Sequence, residues 1–94
     1  MRDDVFRAIA DPQRRKILKL LQKGSMSAGQ IAAQFDITKG SLSYHFNILK
    51  GAGLIRCERH AQEQVYSLNT SVFEEIAAML LELFPAPRSL TRKA

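Results

Sequence analysis

With 94 residues the chain has room for one domain, and its 46% hydrophobic and 24% charged residues are the balance of a globular protein, not a disordered or fibrous one. Fourteen Lys and Arg against nine Asp and Glu leave a formal net charge of +5, which favours a polyanionic partner. The single cysteine, Cys57, excludes an intrachain disulfide, the start Met1-Arg2-Asp3-Asp4 leads into no secretory apolar core, and no run approaches the roughly 18 apolar residues of a membrane span, so a cytoplasmic protein without membrane insertion is expected.

Val5, Phe6 and Ile9 fall at helical spacing and predict a first helix over 3–10. Asp11-Pro12 then restarts the chain, with Asp as N-cap and Pro at the first helical position. The second helix is expected over 12–23, buried through Ile17, Leu18, Leu20 and Leu21 and stopped by Gly24. Ser27 and Gln30 have the spacing of a capping box for a brief third helix ending near Asp36. Thr38 caps a fourth, which runs to about Lys50 and breaks at Gly51-Ala52-Gly53. Two strands, 54–60 and 64–68, flank a turn at Ala61-Gln62-Glu63, and Asn69 caps a last helix over 70–84 that stops before Pro85. Residues 1–84 therefore read as one mainly α domain with a two-stranded β-hairpin, in the order α-α-α-α-β-β-α, and 85–94 as a flexible basic tail.

Short helices three and four, joined by a tight turn, form a helix-turn-helix pattern. On a helical wheel Leu42, Phe46 and Leu49 cluster on one side of the fourth helix and Gly40, Ser43, Tyr44 and Asn47 on the other. This outward face has no acidic group and several hydrogen-bonding side chains, which suits the major groove of DNA. Gly40 permits close approach to a backbone, while Lys39 and the helix N-terminus favour phosphate. Lys39, Gly40, Ser41, Ser43, Tyr44, His45 and Asn47 are the candidate contacts. Arg14, Arg15 and Arg59 are candidate phosphate ligands, with Arg15 alternatively packing beneath the recognition helix.

Ala10-Asp11-Pro12-Gln13-Arg14-Arg15-Lys16-Ile17-Leu18, the segment from Ile37 to Lys50, and Gly53-Leu54-Ile55 followed by Tyr66-Ser67-Leu68 resemble the ArsR-type repressors, over residues 3 to about 84. Within that family the sequence is similar to a short, metal-independent branch. The resemblance implies a dimeric winged helix-turn-helix, binding of double-stranded DNA, and repression relieved by a ligand or a sequestering protein. Two positions depart from the pattern. Gly40 stands where the family commonly has Pro, and the wing tip reads Ala61-Gln62-Glu63 in place of Gly and a basic residue. Arg59, His60 and Gln62 are the wing candidates, and Glu63 would repel phosphate.

The residues give no reason to expect a metal, a cofactor or catalysis. Where metal-sensing relatives carry a Cys pair, this chain reads Ser25-Met26-Ser27-Ala28-Gly29-Gln30, and its last helix offers only Glu74, Glu75 and Glu82. Cys57 and His60, three apart on a strand, point to opposite faces. No phosphate loop or nucleophile–base motif is present, so an enzyme is not expected. A winged helix that binds protein rather than DNA, and a repressor responding to oxidation of Cys57, are the alternatives.

The ends of the chain carry more apolar surface than one small core needs. Val5, Phe6 and Ile9 of the first helix, with Val72, Phe73, Ile76, Met79, Leu80, Leu83 and Phe84 of the last, are the expected homodimer interface.

Overall fold

Both opening helices begin for local reasons. In the computed structural model, which describes residues 2–85, α1 spans Asp3–Ile9 and holds Asp3 and Asp4 in its first turn, where carboxylates complement the helix dipole. The basic tail expected beyond Pro85 lies outside the described residues. Helix α2, Pro12–Leu21, is capped by the Asp11 carboxylate, which accepts from the N–H groups of Gln13 and Arg14 at 2.8 and 3.1 Å. It stops at Leu21 rather than continuing to Lys23, and Gly24 follows at a φ of 139°, where only glycine is comfortable.

The sheet has three strands, not the expected two. Met26–Ser27 forms a short β1 that pairs antiparallel with β3, Met26 opposite Tyr66 and Ser27 opposite Val65, giving the order β1-β3-β2. Two residues are too few for an alternating pattern to appear in sequence. Ser27 also starts α3, Ala28–Ala32, through a reciprocal capping box with Gln30. Helix α3 ends at Ala32, short of Asp36. Thr38 Oγ1 accepts from the Ser41 N–H at 3.0 Å and opens α4, Lys39–Gly51.

Strands β2, Ile55–His60, and β3, Glu63–Leu68, pair in register from Ile55 opposite Leu68 to His60 opposite Glu63. The turn is thus Ala61-Gln62 alone, and Glu63 belongs to the strand. Ala61 takes a φ of 57°, the left-handed conformation that glycine adopts more cheaply. Asn69 precedes α5, Thr70–Leu83, but its side chain does not cap the helix. Instead Nδ2 donates to the Gly53 carbonyl at 2.9 Å, which ties the sheet exit to the loop after α4.

Val5, Ile17, Ile31, Leu49 and Leu54 are the largest fully buried side chains, so α1 to α4 and the base of β2 share one core. Arg2 closes its edge by donating to the Ala52 carbonyl at 2.8 Å and reaching Glu75 at 3.4 Å. Gly53 sits beneath it at a φ of 77°, with Val72 also near. Among the described residues no helix is long and apolar enough to cross a membrane.

Candidate nucleic-acid interface

Leu42, Phe46 and Leu49 are buried, which fixes α4 in rotation about its own axis. Lys39, Gly40, Ser41, Ser43, Tyr44 and Asn47 are left exposed, and Tyr44 keeps 59% of its surface accessible. No Asp or Glu occurs within α4. A Cβ on Gly40 would meet only Thr38 Oγ1, at 4.0 Å, so packing does not demand glycine there. Lys39 and Ser43 share a groove of ≈ 430 Å³ with Gly29 and Ala32 of α3, a concavity between the two helices of the helix-turn-helix.

Two expected contacts have other roles. Arg14 is buried, not displayed to phosphate. Its Nε donates to the Ala8 carbonyl at 2.7 Å, Nη2 to the Arg7 carbonyl at 3.1 Å, and Nη1 meets His45 Nδ1 at 3.2 Å. Arg15, the residue considered for packing beneath the recognition helix, is exposed and caps the Ile9 and Ala10 carbonyls at 2.9 and 3.0 Å. Together the two arginines satisfy the C-terminal carbonyls of a helix too short to persist alone. His45 accordingly faces Arg14 and Asp11, with only 12% of its side chain exposed, and leaves the outward face of α4. Burial alone would raise the Asp11 carboxyl. The N–H groups of Arg14 and Gln13, with His45 and Arg14 nearby, bring it below the usual carboxylate value.

The basic character of α2 is also partly structural. Lys16 Nζ donates to the Gln34 carbonyl at 2.7 Å and sits 4.5 Å from the centre of the Phe35 ring. Lys19 and Lys23 remain exposed. No sequence signal separates these lysines from Lys16, because its partner carbonyl lies eighteen positions away.

On the wing, alternation and register divide the side chains between two faces. Ile55, Cys57, Arg59, Gln64, Tyr66 and Leu68 share the inner face, and Arg56, Glu58, His60, Glu63 and Val65 share the outer one. Tyr66 stacks on Phe46, so the inner face is the one toward α4. Arg59 therefore lies on the α4 side, while His60 pairs with Glu58 at 3.1 Å on the opposite face beside Glu63. Gln62 is exposed at the tip. Cys57 Sγ and Tyr66 Oη both donate to Gln64 Oε1, at 3.3 and 3.2 Å.

A helix-turn-helix with an attached antiparallel wing is the frame in which residues 11–56 match the family model described as bacterial regulatory protein, arsR family. The chain is 53% identical over 73 residues to the transcriptional repressor SdpR of Bacillus subtilis, covering 78% of this chain and 81% of that protein. This chain belongs to the arsR family of bacterial regulatory proteins. It is a transcriptional regulator with a DNA-binding fold, not an enzyme. A crystal structure of an ArsR family transcriptional regulator superposes with a TM-score of 0.82 at 28% identity, covering 86% of this chain and 89% of the other. The homodimeric winged helix-turn-helix DNA-binding domain of a possible ArsR-family regulator from Mycobacterium bovis superposes with a TM-score of 0.67 at 24% identity, covering 90% and 85%.

Among the described residues of this ArsR-family chain, no three His, Cys, Asp or Glu side chains come together as a metal centre. Glu75 is engaged by Arg2 instead. The polar bridge from Asp11 and Arg14 to His45 is not legible in the sequence, since Arg14 and His45 lie thirty-one positions apart.

Proposed function

We propose that the protein is a transcriptional repressor that binds an inverted-repeat operator in double-stranded DNA as a homodimer. The observation that carries this reading is the exposed, acid-free face of α4 formed by Lys39, Gly40, Ser41, Ser43, Tyr44 and Asn47. Its hydroxyl and amide groups have the chemistry to read base edges, and Lys39 with the first turn of α4 the chemistry to hold phosphate. Arg59 and Gln62 extend the contact along the backbone from the wing, and residues 1–84 carry both DNA binding and dimerisation.

Dimerisation is supported by a second surface. Val5, Val72 and Ile76 are consumed by the core of their own protomer, which removes them from the expected interface. Phe6, Ile9, Phe73 and Met79 are only partly covered, and Leu80, Leu83 and Phe84 are exposed, with Leu81 beside them. An apolar strip of this length, without a partner among the described residues, is closed most simply by its symmetry mate.

A gel shift with DNA from upstream of the chain's own coding region tests the reading. The expected result is a shift competed by the same unlabelled DNA and not by random DNA. Ser43→Ala and Tyr44→Ala should each lower that discrimination by about 1–3 kcal/mol. Unchanged operator preference in both variants would refute the assignment of the α4 face.

A further inference from the structure

The partly buried bridge behind the recognition helix has a chemical polarity. An arginine guanidinium only donates hydrogen bonds. At 3.2 Å from Arg14 Nη1, His45 Nδ1 must therefore be the acceptor, which places the ring's single proton on Nε2 and leaves the imidazole neutral. The same guanidinium is fixed at its other two positions by the Arg7 and Ala8 carbonyls at the end of α1. His45 is thus the only side chain of α4 with a hydrogen bond to the α1–α2 corner among the described residues.

We infer that His45 is a positioning residue, which holds the recognition helix in its DNA-binding orientation by accepting from Arg14 in its neutral Nε2–H form. This inference rests on the DNA reading above. Adding a proton at Nδ1 converts the acceptor into a donor and sets two cations face to face. Among the described residues the only carboxylate beside it is that of Asp11, at 4.0 Å from Nδ1 and already accepting from two backbone N–H groups. Tyr44 meets the ring edge-on at 5.6 Å and offers no charge to replace Arg14. Asp4 and Arg7 of α1 line a different groove, beside Asn47 and Gly51, and on the sheet Cys57 and Tyr66 are both turned to Gln64. Acid therefore releases α4 from α1 and α2, and operator affinity falls with pH.

The test compares wild type, His45→Asn and His45→Leu at about pH 7.5 and about pH 5.5 and constant ionic strength, a range over which histidines change charge. It adds the imidazole nitrogen spectrum of the DNA-free wild type. Asn sets an amide oxygen close to the place of Nδ1 and carries no ionisable group, while His60 is present in all three proteins. The expected results are an Nε2–H tautomer at the higher pH and a wild-type loss of about tenfold in affinity on acidification. His45→Asn should stay within about threefold across the range, and His45→Leu should be weaker by about tenfold at both pH values. An Nδ1–H tautomer, or a wild-type pH profile equal to that of His45→Asn, would overturn the inference even if the Leu variant fails to fold. Absence of operator binding by every protein, wild type included, would strike at the DNA reading itself and remove this inference with it.

Discussion

The ring of Phe46 in α4 lies on the ring of Tyr66 in β3, with centroids 4.2 Å apart and planes inclined by 23°. Both residues are buried, so the stack is the joint through which the wing and the recognition helix keep a fixed relation. Phe46→Ala leaves a void between helix and sheet and should cost about 3–5 kcal/mol of stability. Tyr66→Phe retains the stack, loses only the hydroxyl bond to Gln64, and should cost about 1 kcal/mol. Urea denaturation of both variants checks the contrast, and similar losses in the two would contradict it.

Burial of Tyr66, together with the adjoining Cys57 thiol, pushes its phenol up to about 12. A group whose folded value lies above its unfolded value lends stability that is intact below the unfolded value and is lost as pH rises through the folded one. The window therefore runs from about 10, the free tyrosine value, to about 12. Denaturation midpoints should fall across that range in wild type and fall less in Tyr66→Phe. Parallel alkaline limbs for the two proteins would show that another group is responsible.

Salt dependence separates structural cations from DNA-facing ones. Lys39 is exposed at the start of α4, whereas Arg14 is buried and bonded to carbonyls. For the dimer we expect log K to fall against log salt with a slope steeper than about −3. Lys39→Ala should make it shallower by about 1.8, for two neutralised phosphates. Arg15→Ala frees α1 carbonyls and should lower stability while leaving the slope unchanged. A slope that responds to Arg15 and not to Lys39 would reverse the two roles.

The sequence discloses what rests on short-range pattern. Caps at Asp11, Ser27 and Thr38 and the buried stripe of α4 follow from neighbours in the chain, whereas the hairpin closes one residue tighter than its turn residues suggest. Contacts across the fold stayed hidden. Met26 and Ser27 become a strand only because Tyr66 and Val65 offer an edge. Arg14 and Arg15 are adjacent and chemically alike, and helix rotation decides which one is buried. Val5, Val72 and Ile76 look the same in a helical pattern as the residues beside them that stay exposed, since periodicity does not say whether the covering surface belongs to the same chain.

The wing tip carries a local conflict. Ala61 occupies a left-handed conformation that costs a non-glycine residue about 1–2 kcal/mol. Ala61→Gly removes that cost and gives back part of it as chain entropy, so a net gain of about 0.5–1 kcal/mol is expected. Operator affinity should be unchanged, since the substitution adds no charge. Destabilisation of this variant in thermal or urea unfolding would contradict the turn geometry.

The exposed end of α5 makes the strongest demand for a partner. Leu83 and Phe84 keep 59% and 62% of their surface accessible, at the close of a helix whose Val72 and Ile76 are buried in the protomer. Burying such side chains against a mate is worth about 1.5–3 kcal/mol each, whereas placing a carboxylate on them opposes association through desolvation and like-charge repulsion across the two-fold axis. Leu83→Glu combined with Phe84→Glu should therefore give a folded monomer. Ile76→Ala should instead lower stability by about 2–5 kcal/mol, because it opens the protomer's own core. In a dimer the two α4 helices would engage half-sites about 34–36 Å apart on one face of the duplex, and the monomer would keep only one of them. Operator affinity should then collapse in the double Glu variant while its far-UV spectrum stays that of wild type. Sedimentation of the wild type as a monomer at micromolar concentration, with tight operator binding retained, would refute the arrangement.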